Sequence, residues 1–140
     1  NQPHTAVLEM HFPAPQLLFD ASVEVALTGA DFDAHTSIGA VKTGRPVVLP
    51  KGSVLRFDKK ILGERAYLAV HGGWQLTPVL GSCSTHFKSG FGGFEGRGLK
   101  KGDVIRLGTT PTATMAANEI IHASRWRLPG LFLPNPCTIR

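Results

Sequence analysis

Apolar and polar residues alternate in AVLEMHF (residues 6–12), the period of a strand with one buried face. QLLFDASVEVALTG (16–29) continues as one or two further strands, and RAYLAVHGG (65–73) is a strand closed by a double glycine. RPVVLPKGSVLRFD (45–58) predicts a hairpin: two β-rich runs flank Pro50-Lys51-Gly52, where proline presets φ and glycine supplies the left-handed turn residue. ADFDAHTSIGAV (30–41) predicts a short helical turn followed by a strand, KKGDVIRLGT (100–109) a turn and strand, and EIIHASRWRL (119–128) a last strand. No 3.6-residue period persists for three turns, and TATMAANEI (112–120) is the best helix candidate. The pattern predicts a mainly β fold with minor helices, closed into a barrel or a sandwich.

LPKGSVLRF (49–57) and LKKGDVIRL (99–107) share Leu-x-Lys-Gly-x-Val-apolar-Arg-apolar. Two copies of one turn chemistry explain this echo, with Arg56 and Arg106 at matching outward positions; an array would need more copies.

Composition sharpens the class. The 140 residues are the length of one domain, and 42% are hydrophobic, enough for a real core. Sixteen glycines and ten prolines suit many short strands and tight turns. The net charge of +5 invites a nucleic-acid reading. Its longest basic clusters are the pairs Lys59-Lys60 and Lys100-Lys101, each in a turn, so solvated turn charges account for them. Neither a nucleic-acid nor a membrane partner is expected, whereas an anionic substrate or an acidic partner fits the charge. Cys83 and Cys137 make no disulfide framework. No apolar run reaches the roughly 18 residues of a membrane span and no leader pattern opens the chain, so a cytoplasmic protein is expected. The chain opens on Asn1 and closes on CTIR (137–140), reading as a piece of something longer.

The densest candidate chemistry is HFKSGFGGFEGR (86–97). A Walker loop is excluded because no Lys-Ser/Thr follows the glycines, and Gly-x-Gly-x-x-Gly fails at Glu95. An RNA platform needs aromatics two apart on one strand face, but Phe91 and Phe94 are three apart. Cys83 and His86 have half of a zinc spacing, and neither Cys137 nor His122 supplies a matched second pair. LGSCST (80–85) places Cys83 where a nucleophile elbow needs serine. His71 stands at a strand end beside Gly72-Gly73, a position open to a site or to a plain turn. Arg65 and Tyr67 share one strand face, which serves as a site wall or a hydrogen-bonded rim.

RAYLAVHGGWQLTPVLGSCSTHFKSGFGGFEGRGLKKGD (65–103) resembles the C-subunit family of 5-oxoprolinase, also called KipA or allophanate hydrolase subunit 2. Arg65, Tyr67, Leu68, Ala69, Gly72 and Gly73 match its first block. Pro78, Gly81, Ser82, Ser84 and Thr85 match the second, and Gly92, Gly93, Gly96, Arg97, Leu99, Gly102 and Asp103 the third. AVLEM (6–10) and ALTGADF (26–32) resemble the family's first strands.

The resemblance implies a cyclophilin-like β-barrel with few short helices. It implies membership of an amide-hydrolysing, bacterial, ATP-dependent 5-oxoprolinase, which opens 5-oxoproline to glutamate and whose other two subunits are KipI-like and LamB/YcsF-like. Two alternatives come with it: the carboxyltransferase domain of a biotin-dependent urea carboxylase, and a regulatory module that binds KipI without chemistry. On this resemblance the catalytic candidates are Arg97, Ser84 and Thr85. The substrate-binding candidates are Arg65, Tyr67, His71, Gly72, Gly73, Ser82, Gly92 and Gly93. Glycine N–H groups and Arg97 suit an anion formed when ATP phosphorylates the substrate carbonyl. No metal is expected, no cofactor is expected on this chain alone, and no general base is assigned. The chain lacks the family's opening Thr-Thr-Val-Gln-Asp-x-Gly-Arg segment and its later Gln-Thr-Thr-Gly-Gly-Tyr-Pro block. It is therefore expected to be one domain holding the N-terminal-to-central portion of a larger one, and to be inactive alone.

Overall fold

The computed structural model describes Asn1 and residues 4–108. The helix candidate at 112–120, the strand candidate at 119–128, His122 and Cys137 lie outside the described residues. Eight strands form in chain order: β1 (Leu8–Met10), β2 (Leu17–Leu18), β3 (Val23–Asp31), β4 (Ala34–Thr36), β5 (Gly39–Ala40), β6 (Pro46–Leu49), β7 (Val54–Phe57) and β8 (Leu62–Val70). They make two antiparallel four-stranded sheets, ordered β1-β8-β3-β6 and β2-β7-β4-β5. The mainly β class stands. The closed barrel and the short helices do not: among the described residues there is no helix, and each sheet is an open run of strands. The helical turn expected within 30–41 is instead the end of β3 followed by β4, because Phe32 and Ala34 are needed in the core.

Alternation builds the core. Val23, Val25 and Leu27 of β3 point inward, as do Ala66, Leu68 and Val70 of β8. A register shift between Gly29 and Asp31 then turns Ala30 inward. Phe19, Phe32, Leu49 and Leu55 complete the buried cluster.

The expected hairpin at 45–58 is corrected. Its two strands exist, but β6 pairs with β3 and β7 with β2 and β4, in different sheets. The Pro50–Ser53 turn does form, with Ser53 N donating to Pro50 O at 3.1 Å. Its other backbone groups are taken by Phe19: Gly52 N donates to Phe19 O (2.7 Å) and Phe19 N to Ser53 O (2.9 Å). The turn is thus a corner between sheets. Arg56 and Arg106 are both exposed, as the sequence echo predicts. The second copy forms no ladder beyond a bridge at Leu107, so the strand expected at 100–109 is absent from its described part.

After β8 the chain leaves the sheets as an arm. Its base is closed by a Trp74–Leu107 bridge, by Gln75 N donating to Arg106 O (2.8 Å), and by Gly108 N donating to Gly73 O (2.8 Å). None of the buried hydrophobic residues comes from the arm. Only Trp74 and Leu107, at its base, pack against the core. Turns and ion pairs must therefore hold the rest.

Candidate functional site

The arm meets β1 and the outward face of β8 across a cavity of about 810 Å³. One wall is chain 4–9 with His11 and Tyr67; the facing wall holds Trp74, Leu76, Ser82–Thr85, Phe87, Phe94 and Arg97. The topology makes the facing possible. Met10 and Leu68 point into the core, so Glu9 and its cross-strand neighbour Tyr67 must point out toward the arm.

Six sequence candidates line this cavity: Tyr67, Ser82, Ser84, Thr85, Gly93 and Arg97. Five do not. Arg65 stands beside it, donating from Nη1 to Glu9 Oε1 at 3.2 Å. His71 lies with Nδ1 3.8 Å from Glu24 Oε2. Gly72 donates its N–H to Asn1 Oδ1 (3.1 Å), Gly73 packs against Thr5, and Gly92 lines a separate opening of about 420 Å³ under the glycine-rich loop. Glu9, His11 and Trp74 line the cavity and were missed from the sequence. The alternation in AVLEMHF was a signal for the first two, since it puts Glu9 and His11 together on the polar face of β1.

The glycine-rich loop is shaped by close approach. Gly92 and Gly93 have φ of +73° and +53°, and both pack directly on the backbone or side chain of Ser84-Thr85. Phe91 O accepts from His86 N at 2.8 Å, and the His86 ring stacks on Phe91 with centroids 5.1 Å apart. Phe94 lies under the Arg97 guanidinium, 5.3 Å from its carbon. The two phenylalanines are anchors.

Arg97 is a clamp. It grips Asp103 through two bonds, Nη1 to Oδ2 (2.7 Å) and Nη2 to Oδ1 (3.0 Å). It also donates to Glu95 Oε2 and to Gly98 O, the latter at 3.0 Å. The Asp103 bond pushes the guanidinium pKa up. In return Arg97, and then the Lys100 N–H, hold the Asp103 carboxyl down at about 2. Two carboxylates face one guanidinium, so Arg97 acts first by fixing the loop that carries Gly93 and Phe94. The sign of the pH effect follows. Asp103 is lowered from 3.8, so its stabilisation is full above pH about 4 and is lost as pH falls through about 2. The stability difference between wild type and Asp103→Asn, from urea midpoints, is expected to be constant above pH 4 and to shrink steadily toward pH 2. A difference that does not vary with pH would contradict the clamp.

The profile of the family described as carboxyltransferase domain, subdomain A and B, matches residues 1–131. The chain belongs to this family. A relative in the carboxyltransferase family, the 5-oxoprolinase C-subunit of Escherichia coli strain K12, is 37% identical over 134 residues, 93% of this chain and 43% of that protein. Urea amidolyase of Saccharomyces cerevisiae is 34% identical over 76% of this chain and 6% of its own length. The crystal structure of TTHA0988 superposes with a TM-score of 0.69 at 32% identity, over 76% of this chain and 39% of that one. The chain therefore spans less than half of each of these relatives. None of the described residues forms a helix long and apolar enough to cross a membrane.

Proposed function

We propose that this chain forms a substrate-cavity portion of a 5-oxoprolinase C-subunit, within an assembly that uses ATP to open 5-oxoproline to glutamate alongside KipI-like and LamB/YcsF-like subunits. The observation that carries the reading is the match to the Escherichia coli protein along 93% of the chain. The cavity chemistry supports it. Ser82, Ser84 and Thr85 offer hydroxyls that donate to and accept from a cyclic amide, while Trp74, Leu76 and Phe94 flank an apolar ring. Among the described residues neither the Gly92 nor the Gly93 N–H donates to a backbone carbonyl, which leaves Gly93 able to serve a developing oxyanion.

A second reading, the carboxyltransferase step of a biotin-dependent urea carboxylase, is favoured by the family description and by the urea amidolyase match. Biotin, when bound, would supply a transferable carboxyl group. The same hydroxyls and apolar walls suit its ureido ring, with Ser82, Ser84 and Thr85 as the residues to hold it.

The test is reconstitution of the intact protein with its two partner subunits and an assay of ATP-dependent glutamate release from 5-oxoproline. Release should require this protein. An unchanged rate without it, or carboxylation of urea in place of ring opening, would overturn the reading, and binding of a KipI-like protein without turnover would favour a regulatory module. Arg97→Ala should lower the rate at least tenfold, about 1.4 kcal/mol, by freeing the loop, and Arg97→Lys should recover only part because lysine cannot make the two-bond grip.

A further inference from the structure

Glu9 and His11 lie two apart around buried Met10, so both project from the outward side of β1, and both line the cavity. Glu9 Oε1 lies 3.3 Å from His11 Nε2 and accepts from Arg65 Nη1 at 3.2 Å. Arg65 thus fixes the carboxylate, and the carboxylate fixes one imidazole nitrogen. With Nε2 turned to Glu9, Nδ1 is the nitrogen left to exchange a proton. A carboxylate that holds an imidazole in one tautomer and supports its charged form is the arrangement general-base catalysis requires.

Among the described residues this pairing is singular within the cavity. Glu9 is the one carboxylate lining it, and His4, the other imidazole there, has no carboxylate in contact. His35 and His71 pair with Asp58 and Glu24 outside the cavity. His86 accepts from Ser89 N on Nδ1 and stacks on Phe91, also outside it. Around His11 the other charges come from β8: Arg65, held by Glu9, and Glu64, held by Lys60 Nζ at 2.7 Å.

We propose that His11, oriented by Glu9 and Arg65, is the general base that moves the proton during cleavage of a small cyclic amide bound in this cavity. The inference rests on the ring-opening reading above. As a water oxygen bonds to the amide carbon, its O–H bond breaks and the proton goes to His11 Nδ1. As the C–N bond breaks, the proton passes from Nδ1 to the leaving nitrogen. One water is consumed and no electrons are exchanged. The phosphoryl transfer that couples opening to a nucleoside triphosphate uses neither residue. His11 is the catalytic residue here; Glu9 and Arg65 are positioning residues.

The experiment uses the intact protein reconstituted with its partner subunits, with 5-oxoproline as substrate and glutamate release as the readout. His11→Ala should lower kcat about 100-fold, the lower end for loss of a general base, with KM within threefold. Imidazole added to the buffer should restore part of the His11→Ala rate, which a merely structural role would not allow. Glu9→Gln should lower kcat about tenfold, without rescue by imidazole. The His11 side chain is 60% exposed, so the thermal midpoint should not move in either histidine variant, His11→Ala or His11→Gln. An active wild type whose kcat survives His11→Ala within threefold overturns this assignment and leaves the ring-opening reading intact. An inactive wild-type assembly overturns that reading and this assignment with it.

Discussion

Gly93→Ala is expected to abolish ligand binding in the cavity, while Gly98→Ala, five residues along the same loop, leaves it unchanged. A Cβ at Gly93 would collide with the Thr85 hydroxyl and sit 2.9 Å from Thr85 Cβ and 3.2 Å from Thr85 Cα. The hydroxyl can rotate away, but the Cβ and Cα cannot move without displacing Ser84-Thr85, which form the facing cavity wall. The φ of +53° adds a left-handed penalty of about 1–2 kcal/mol for a non-glycine residue. Overpacking adds about 1–3 kcal/mol more. At Gly98 a Cβ meets only Phe87 Cε1 at 3.6 Å, ordinary contact, with no left-handed φ. Isothermal titration of the intact protein with the cyclic amide, alongside urea unfolding, separates the two variants. Equal behaviour of Gly93→Ala and Gly98→Ala would mean that the Thr85 contact does not shape the cavity.

Leu68→Ala is expected to destabilise the fold by about 2–5 kcal/mol, a large share of the roughly 5–15 kcal/mol that a domain has. Leu68 is 0% exposed, lies in the middle of β8, and is paired with Leu8 on one side and Leu27 on the other. Removing its branched end leaves a cavity that three hydrogen-bonded strands cannot close. Leu80→Ala is the matched control: Leu80 is 94% exposed on the arm, so its loss should fall within about 0.5 kcal/mol. Urea midpoints of the intact protein read both. A Leu68→Ala midpoint equal to that of Leu80→Ala would refute the core assignment.

Much of the strand content was legible because burial on one sheet face imposes a period of two. The alternations at 6–12, 16–29 and 65–73 became β1, β2, β3 and β8. The expected barrel was not recovered, because edge strands of only two or three residues, β2, β1 and β5, carry too few ladder bonds to reveal closure or its absence in the sequence. The site was half legible. Tyr67, Ser82, Ser84, Thr85, Gly93 and Arg97 could be found because they fall in a dense family block, and they share one cavity. His71, Gly72 and Gly73 belong to that block too, yet Gly72 is taken up by Asn1 and Gly73 by Thr5. Motif membership does not separate residues that line a cavity from residues that let a strand end turn.

By itself the sequence determined the β class, the turn chemistry and the family, since each is written in residues a few positions apart. The tertiary structure alone decided that the 45–58 turn is a corner, because its donors and acceptor are satisfied by Phe19, more than thirty residues away. It alone decided that the charge of Arg97 is spent on Asp103 and Glu95, which turns a sequence candidate for anion binding into a loop clamp. It alone brought Glu9 and His11 across from Ser82, Ser84 and Thr85. Those pairs are some seventy residues apart, and no local period encodes a meeting fixed by how two sheets and an arm pack.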